Sequence, residues 1–426
     1  MKRWKFTSII ILAVLLTACG KSESANQVQT GATASGQEAV TGGVQTVPES
    51  TPAVTLTNGV YRGRNLVIEG RKYLYIEYEM RENDSIRLRS LVPEGEELII
   101  PSEIDGHRVV EVGAKSWEDS PGQDSGYAVW TLWTKSAERK LTQVVLGEYV
   151  EKINDYAFEG TKLDKVVLSE TCKEIGDRAF NDSNVKEINL EHVEKVGDFA
   201  FSYCKLEKIH FDSPVIQIGM RAFWGNENME VIELPASMKK GSFLGSGCFS
   251  VTGISEIQWP AFPKNYGERN IGDGIFEDCK NLEKVALPEN QKHIYLGKYM
   301  FRGCKEMTLV IPEGTGRLTY RSTECADNYT ENVTTLLFKD AKTKITGEPY
   351  VEVSYDEETF SVPRGTKFIC VNRIIAPADS KAAKFAKEAF RVEKFTKKSV
   401  ETIRHPNCEH IPTGTVGPVI LETYKE

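Results

Sequence analysis

"IGDRAF", residues 175–180, returns 21 residues later as "VGDFAF", 196–201, and 22 after that as "IGMRAF", 218–223. Aligned on phenylalanine, the phrase runs through Phe158, Phe180, Phe201, Phe223, Phe249, Phe276 and Phe301, at spacings of 22, 21, 22, 26, 27 and 25. Five residues before each Phe stands an aliphatic: Ile153, Ile175, Val196, Ile218, Leu244, Ile271 and Leu296. The next position is Asn154 and then always glycine: Gly176, Gly197, Gly219, Gly245, Gly272 and Gly297. A glycine so fixed answers either a turn with positive φ or a close backbone approach. The residue before Phe begins as Ala157, Ala179, Ala200 and Ala222 and then enlarges to Cys248, Ile275 and Met300.

A second phrase sits between the phenylalanines. Leu163-x-x-Val166-x-Leu168 recurs as Val185/Ile188/Leu190, Leu206/Ile209/Phe211, Met229/Ile232/Leu234 and Leu282/Val285/Leu287, with Leu141/Val144/Leu146 upstream. Its last two apolar positions alternate, as in a strand with one buried face. A period of 20–29 residues with this strand is the mark of a leucine-rich repeat solenoid. One such coil cannot bury its apolar face alone, so coils must stack and both ends need caps.

The wording LxxVxLPxxVxxIGxxAFxxC resembles the BspA-like leucine-rich repeats of bacterial surface proteins, from about residue 99 to about 395. "IIPSEIDGHRVVEVGAKSW" (99–117) resembles an opening coil, with Trp117 in the Phe position. "IIAPADSKAAKFAKEAFRVEKF" (374–395) resembles a closing helix and strand, with Asp379 or Ser380 to cap the helix and Ala382, Ala383, Phe385, Ala386 and Ala389 as its apolar side. The expected fold is mostly β with short turns and helices, a BspA-like solenoid of coils of about 22–28 residues with terminal caps. The expected divisions are a signal peptide at 1–18, a tether at 19–53 and an N-terminal β cap at 54–98. The solenoid follows at 99–376, irregular at 312–373, then a closing cap at 377–395 and a tail at 396–426.

The first residues carry their own signal. Lys2, Arg3 and Lys5 precede the apolar run "TSIIILAVLLTA" and Cys19, a secretory pattern. Leu16-Thr17-Ala18-Cys19 resembles the lipobox of bacterial lipoproteins, which implies a diacylglycerol on the Cys19 thiol and cleavage just before it. Two acyl chains give stable anchoring where one is marginal. Cleavage would remove three basic and no acidic residues, taking the net charge from −8 to −11. Residues 20–53 lack aromatics and are rich in Ser, Thr, Gly and Gln, so they read as a tether reaching roughly 30 Å. The acidic balance argues against nucleic acid, whose partners carry basic faces. No further apolar run is long enough for a membrane-spanning helix.

The chemistry-bearing residues fall mostly into structural columns. Cys204, Cys279 and Cys304 stand three residues after a repeat Phe, where other coils have Thr161, Ser183, Asn226 and Thr252. A bridge between Cys279 and Cys304 is compatible with the strand spacing but not required. Asp155, Asp177, Asp198 and Asp273 follow the conserved turn position and read as caps of the short turn that carries Ala-Phe. "RHPNCEH" (404–410) offers His405, Cys408 and His410 to a metal, but its spacing is not a standard site, so neither metal nor cofactor is expected. No phosphate-cradling loop, nucleophile elbow or zinc-protease motif occurs, and no enzyme is expected.

Two surfaces are candidates for ligand contact. The outward strand positions include Lys165, Asn189, His210, Glu233 and Gln258. An insertion of about 19 residues in the first coil, within "EDSPGQDSGYAVWTLWTKSAERK" (118–140), gathers Tyr127, Trp130 and Trp133 on a loop. The same rings could instead fold back over the first coils. The resemblance implies a lipid-anchored, surface-exposed adhesion module binding host or cell-surface proteins or glycans. The alternative is a structural envelope scaffold without a foreign ligand.

Overall fold

The computed structural model describes residues 55–57, 59–114, 141–267, 269–320, 333–346, 352–355, 358–361, 368–369, 371, 373–392 and 416–425. All belong to the unit Thr51–Glu426. The signal segment, the tether, Trp117, the insertion at 118–140 and the 404–410 cluster lie outside the described residues.

Each central coil contributes three bonded layers. The first is the strand phrase: Gln143–Val145 pairs in parallel with Lys165–Val167, which pairs with Glu187–Ile188, and Glu97–Ile99 flanks Gln143–Val145 on the other side. Equivalent apolar residues are in register, Leu98 beside Val144 beside Val166 beside Ile188. Along this face the ladder is not continuous. Lys208–His210 pairs with Val231–Glu233, and Glu256–Gln258 with Lys284–Ala286, as separate two-stranded sheets.

The second layer was not foreseen from sequence. The residues just before the recurrent glycine form two-residue strands, Lys152–Ile153, Glu174–Ile175, Lys195–Val196, Gln217–Ile218 and Phe243–Leu244. They stack in parallel register into the largest sheet of the molecule, which begins in the antiparallel strands Val60–Ile68, Arg71–Met80 and Ile86–Pro93. Ile86–Pro93 lies parallel to His107–Val112, and that strand lies parallel to Lys152–Ile153. The antiparallel segment thus runs directly into the coils. Glu69 and Gly70, with φ of 49° and 74°, make the two-residue turn between its first two strands.

The third layer is the turn itself. In all seven coils the residues two before and two after the Phe are left-handed: Tyr156, Arg178, Phe199, Arg221, Gly247, Gly274 and Tyr299 before it, Gly160, Asp182, Tyr203, Gly225, Val251, Asp278 and Gly303 after it. Alternating left- and right-handed residues aims successive N–H groups to one side. The N–H groups at those two positions and of the Phe itself therefore donate to carbonyls of the following coil, as from Tyr156 to Asp177, Phe158 to Ala179 and Gly160 to Asn181. The same triplet recurs at every step through Gly274 to Lys298, Phe276 to Met300 and Asp278 to Arg302. Non-glycine residues held left-handed cost about 1–2 kcal/mol each, which these bonds offset.

The recurrent glycines are not left-handed. They are places of close approach: a Cβ on Gly197 would lie 2.4 Å from Asp177 Oδ1 and 2.5 Å from its backbone nitrogen. The neighbouring aspartates also work differently from the expected caps of their own turn. Asp155 Oδ1 accepts from the N–H of Asp177 at 2.8 Å, Asp177 from Asp198 at 2.8 Å, Asp198 from Met220 at 2.7 Å and Asp273 from Lys298 at 3.1 Å. Each therefore ties its coil to the next. Withdrawal from water raises the Asp177 carboxyl above its usual range, with the charges of Asp155 and Asp198 adding to it.

The repeat phenylalanines form one buried stack. Ring centroids are 5.1 Å apart from Phe158 to Phe180 and from Phe180 to Phe201, then 5.3, 5.7, 6.0 and 6.1 Å onward to Phe301. The Cys column serves this stack. Cys204 Sγ donates to the Phe180 carbonyl, Cys279 to Phe249 and Cys304 to Phe276, and Thr161, Thr252 and Asn226 bond Phe carbonyls from the same position. Cys279 and Cys304 are free thiols, as are Cys172, Cys204 and Cys248.

At the far end Met307–Ile311, Val333–Phe338, Arg373–Pro377 and Ile420–Tyr424 form a parallel sheet. The helix Lys381–Glu388 packs on this sheet, capped by Ser380, whose Oγ accepts from Ala383 N–H at 3.0 Å. Its buried residues are Ala382, Ala383, Phe385 and Ala386. Within the segment read as a tail, Val416–Pro418 and Ile420–Tyr424 are strands, and Tyr424 Oη donates to the Phe338 carbonyl at 2.6 Å.

Candidate functional site

The strand phrase places every second side chain outside the core, and the ladder decides which of them share a surface. Lys165 is exposed and pairs with Glu187 across the strands at 3.1 Å. An exposed pair of this kind contributes between nothing and about 1 kcal/mol. Asn189 is committed to the backbone: its Oδ1 accepts from Leu168 N–H at 2.7 Å and its Nδ2 donates to the Leu168 carbonyl at 3.1 Å. It replaces the backbone bonds that the short strand Glu187–Ile188 no longer supplies, a structural task that a polar strand residue does not announce.

His210 stands between two carboxylates. Its Nε2 is 2.8 Å from Asp212 Oδ1 and its Nδ1 is 2.8 Å from Glu233 Oε2. Gln258 Nε2 donates to the carbonyl of Ala286 in the next coil at 3.2 Å. Of the five strand-face candidates, the structure brings His210 into contact with Glu233, and Glu233 and Gln258 into one groove. The groove measures about 810 Å³ and lies where Val231–Glu233 and Glu256–Gln258 belong to different sheets. Glu230, Ser255, Glu256, Asn281, Lys284 and Lys305 complete its polar wall and the exposed Val231 adds an apolar side chain, while Ile232 and Ile257 are buried on the core side of the strands. Lys284 pairs with Glu256, and Lys305 pairs with Glu283 at 2.8 Å. Alternation in the strand phrase turns Glu256 and Lys284 outward together with Glu233 and Gln258, whereas Glu230, Ser255, Asn281 and Lys305 lie beyond those outward positions and were missed in the sequence.

This surface offers directed polar groups and the exposed side chain of Val231, and no cysteine lines it. The described thiols lie in the core, where burial pushes Cys279 up to about 11 and Cys172 and Cys204 up to about 12. A thiol so protonated is a poor nucleophile. Among the described residues no group of three or more His, Cys, Asp or Glu side chains is arranged to hold a metal ion. Tyr127, Trp130 and Trp133 lie outside the described residues, as does Cys19.

Comparison with known proteins bears on the repeat. Residues 137–240 and 194–329 match the family model of the BspA type leucine rich repeat region, in six copies. No curated protein matches. Among solved structures, a leucine-rich repeat protein from Bacteroides ovatus is 22% identical, with 70% of this chain and 69% of that one covered at a TM-score of 0.46. A T. pallidum leucine-rich repeat protein is 24% identical, covering 54% of this chain and 86% of that one at 0.38. A leucine-rich cell surface protein from Faecalibacterium prausnitzii is 13% identical, covering 78% and 90% at 0.39. With the repeated phrase, the register of its strands and the family match in agreement, residues 137–329 are a leucine-rich repeat region of the BspA type.

Proposed function

We propose that this protein is a surface lipoprotein, anchored through Cys19, that presents its repeats as a binding module for protein or glycan ligands outside the cell. The groove between Val231–Glu233 and Glu256–Gln258 carries the reading: an in-register scaffold opens there into a site walled by polar side chains. Solenoids use such surfaces for partners because neighbouring coils hold them rigidly. The anchor rests on the lipobox-like Leu16-Thr17-Ala18-Cys19 and on the polar segment after it. Among the described residues no helix is long and apolar enough to cross a membrane.

Capture from cell-surface extracts on the immobilised protein, run beside the Glu233→Arg, Gln258→Arg double variant, tests the groove. A ligand retained by the native protein and lost by an equally stable double variant supports it. Equal retention by both removes the groove from the reading. Cys19→Ala tests the anchor: the protein should leave the membrane fraction or keep its uncut leader, and unchanged anchoring with unchanged processing overturns the lipoprotein assignment.

A further inference from the structure

The turn edge of the second, third and fourth Phe coils carries side chains that the strand-face reading does not use. Arg178, Phe199, Tyr203 and Arg221 all sit at left-handed positions, with φ of 53°, 56°, 56° and 50°. Glycine stands elsewhere in the same two columns, at Gly160, Gly247, Gly274 and Gly303 in other coils and at Gly225 in the fourth. Backbone strain maintained with bulky side chains in consecutive coils marks a surface kept for its side chains.

Those side chains form a corner. Tyr203 is 52% exposed, and its ring lies over Gly225, where an added Cβ would come within 2.8 Å of the ring. One ring face is thus seated on the backbone. Trp224 adjoins it, the two ring centroids 4.6 Å apart and the planes tilted by 54°. The Arg221 guanidinium lies 4.9 Å from the Trp224 ring centroid and has no ion pair among the described residues. Arg178 lies 5.0 Å from the Phe199 ring centroid. Met220, 41% exposed, borders the patch.

The guanidiniums of Arg178 and Arg221 are accompanied by the carboxylates of Glu159, which pairs with Arg178 at 3.9 Å, Asp177, Asp182 and Asp198, so the edge has donors and acceptors and no cationic excess to hold an anion. Flat rings suit the C–H face of a pyranose, and carboxylates interspersed with guanidiniums suit its hydroxyls rather than an anionic group.

We propose that the turn edge around Tyr203, Trp224 and Arg221 is a binding site for a neutral pyranose of a surface glycan. The site is distinct from the strand-face groove and stands or falls independently of it. The probes are cellohexaose, mannohexaose, xylohexaose and a galactan hexasaccharide, with a sulfated hexasaccharide as the charged competitor. They are titrated against the full chain, with tryptophan fluorescence and calorimetry as readouts. At least one neutral oligosaccharide should bind, and Tyr203→Gly should weaken it by about tenfold or more. Because glycine suits φ of 56°, the melting temperature of that variant should hold or rise. The proposal is overturned if no neutral probe binds, if the sulfated probe is preferred, or if Tyr203→Gly binds as the native protein does. It is equally overturned if Tyr203→Gly lowers the melting temperature substantially, which would make the ring structural, or if a polypeptide is the only ligand that Tyr203→Gly affects.

Discussion

The coils from Phe158 to Phe223 and those from Phe249 to Phe301 use one design at two sizes. The first group repeats every 21 or 22 residues, has alanine before each Phe and stacks its rings 5.1–5.3 Å apart. The second repeats every 25–27 residues, has Cys248, Ile275 or Met300 before Phe and spaces its rings 5.7–6.1 Å apart. Alanine lets neighbouring turns approach until the rings are in van der Waals contact, while a larger side chain in that column holds them apart. The extra residues of the longer coils are not idle. Trp259 is buried with its ring at 75° to that of Phe276, and Tyr266 Oη both accepts from Gly241 N–H at 2.7 Å and donates to the Lys239 carbonyl at 3.0 Å. The groove lies between the strands Val231–Glu233 and Glu256–Gln258, flanking the step from Phe223 to Phe249 at which the coils first lengthen. Change of coil size, rather than any special motif, coincides with the opening of the concave face.

The strongest way to break this comparison is to remove a ring from each group. Phe201→Ala should destabilise by roughly 3–5 kcal/mol in urea unfolding, and Phe276→Ala by less, since its stack is already looser. Equal losses would show that ring spacing does not report packing. Next in size is Gly197→Ala, whose new methyl would collide with the Asp177 backbone nitrogen. A loss of about 1–3 kcal/mol is expected, as for overpacking, with the melting temperature as the readout. A smaller change in the opposite direction should come from Val251→Gly. Val251 is the one β-branched residue in the two left-handed columns, with φ of 57°, and its replacement should raise stability by about 1 kcal/mol.

The smallest expected effect concerns the aspartate ties. The folded state holds the Asp177 carboxyl above its ordinary range, so the folded protein binds the proton more tightly than the unfolded chain does. That contribution is fully present below the unfolded value and is lost as pH rises through the folded one. Asp177→Asn keeps the Oδ1 acceptor for Asp198 N–H and removes the charge. It should therefore gain less than about 1 kcal/mol at pH 7, with the gain vanishing as pH falls towards 3. A gain that persists in acid would mean the charge is not its source.

The phenylalanine column and the strand phrase were legible because each recurs at a fixed offset and is apolar. The two-residue strands before the glycines were not: Lys152–Ile153 or Glu174–Ile175 is too short to show alternation, and only the neighbouring coil makes it a strand. The left-handed turns were hidden more deeply, since nothing intrinsic to Tyr156, Arg178 or Phe199 favours that conformation. The clue was positional: Gly247 and Gly274 occupy the same column. For the candidate groove, alternation identified Glu233 and Gln258 as outward-facing, but where a ladder stops is set by how neighbouring coils meet in three dimensions, and it stops between Glu187–Ile188 and Lys208–His210 as well. Tyr203, Trp224 and Arg221 escaped notice because they lie in the turn phrase, which reads as core.

The bonded turns have a polarity that the strands beside them lack. In the strand phrase, residues alternate in the side to which they offer N–H and carbonyl, so their dipoles largely cancel. In the turns, the N–H groups of the left-handed residues and the Phe point towards the later coil at every step, and the accepting carbonyls point back towards the earlier one. The dipoles add along the stack as they do along a helix. The turn edge is therefore an electrical gradient running along the repeats, its positive end towards the later coils and its negative end towards the earlier ones.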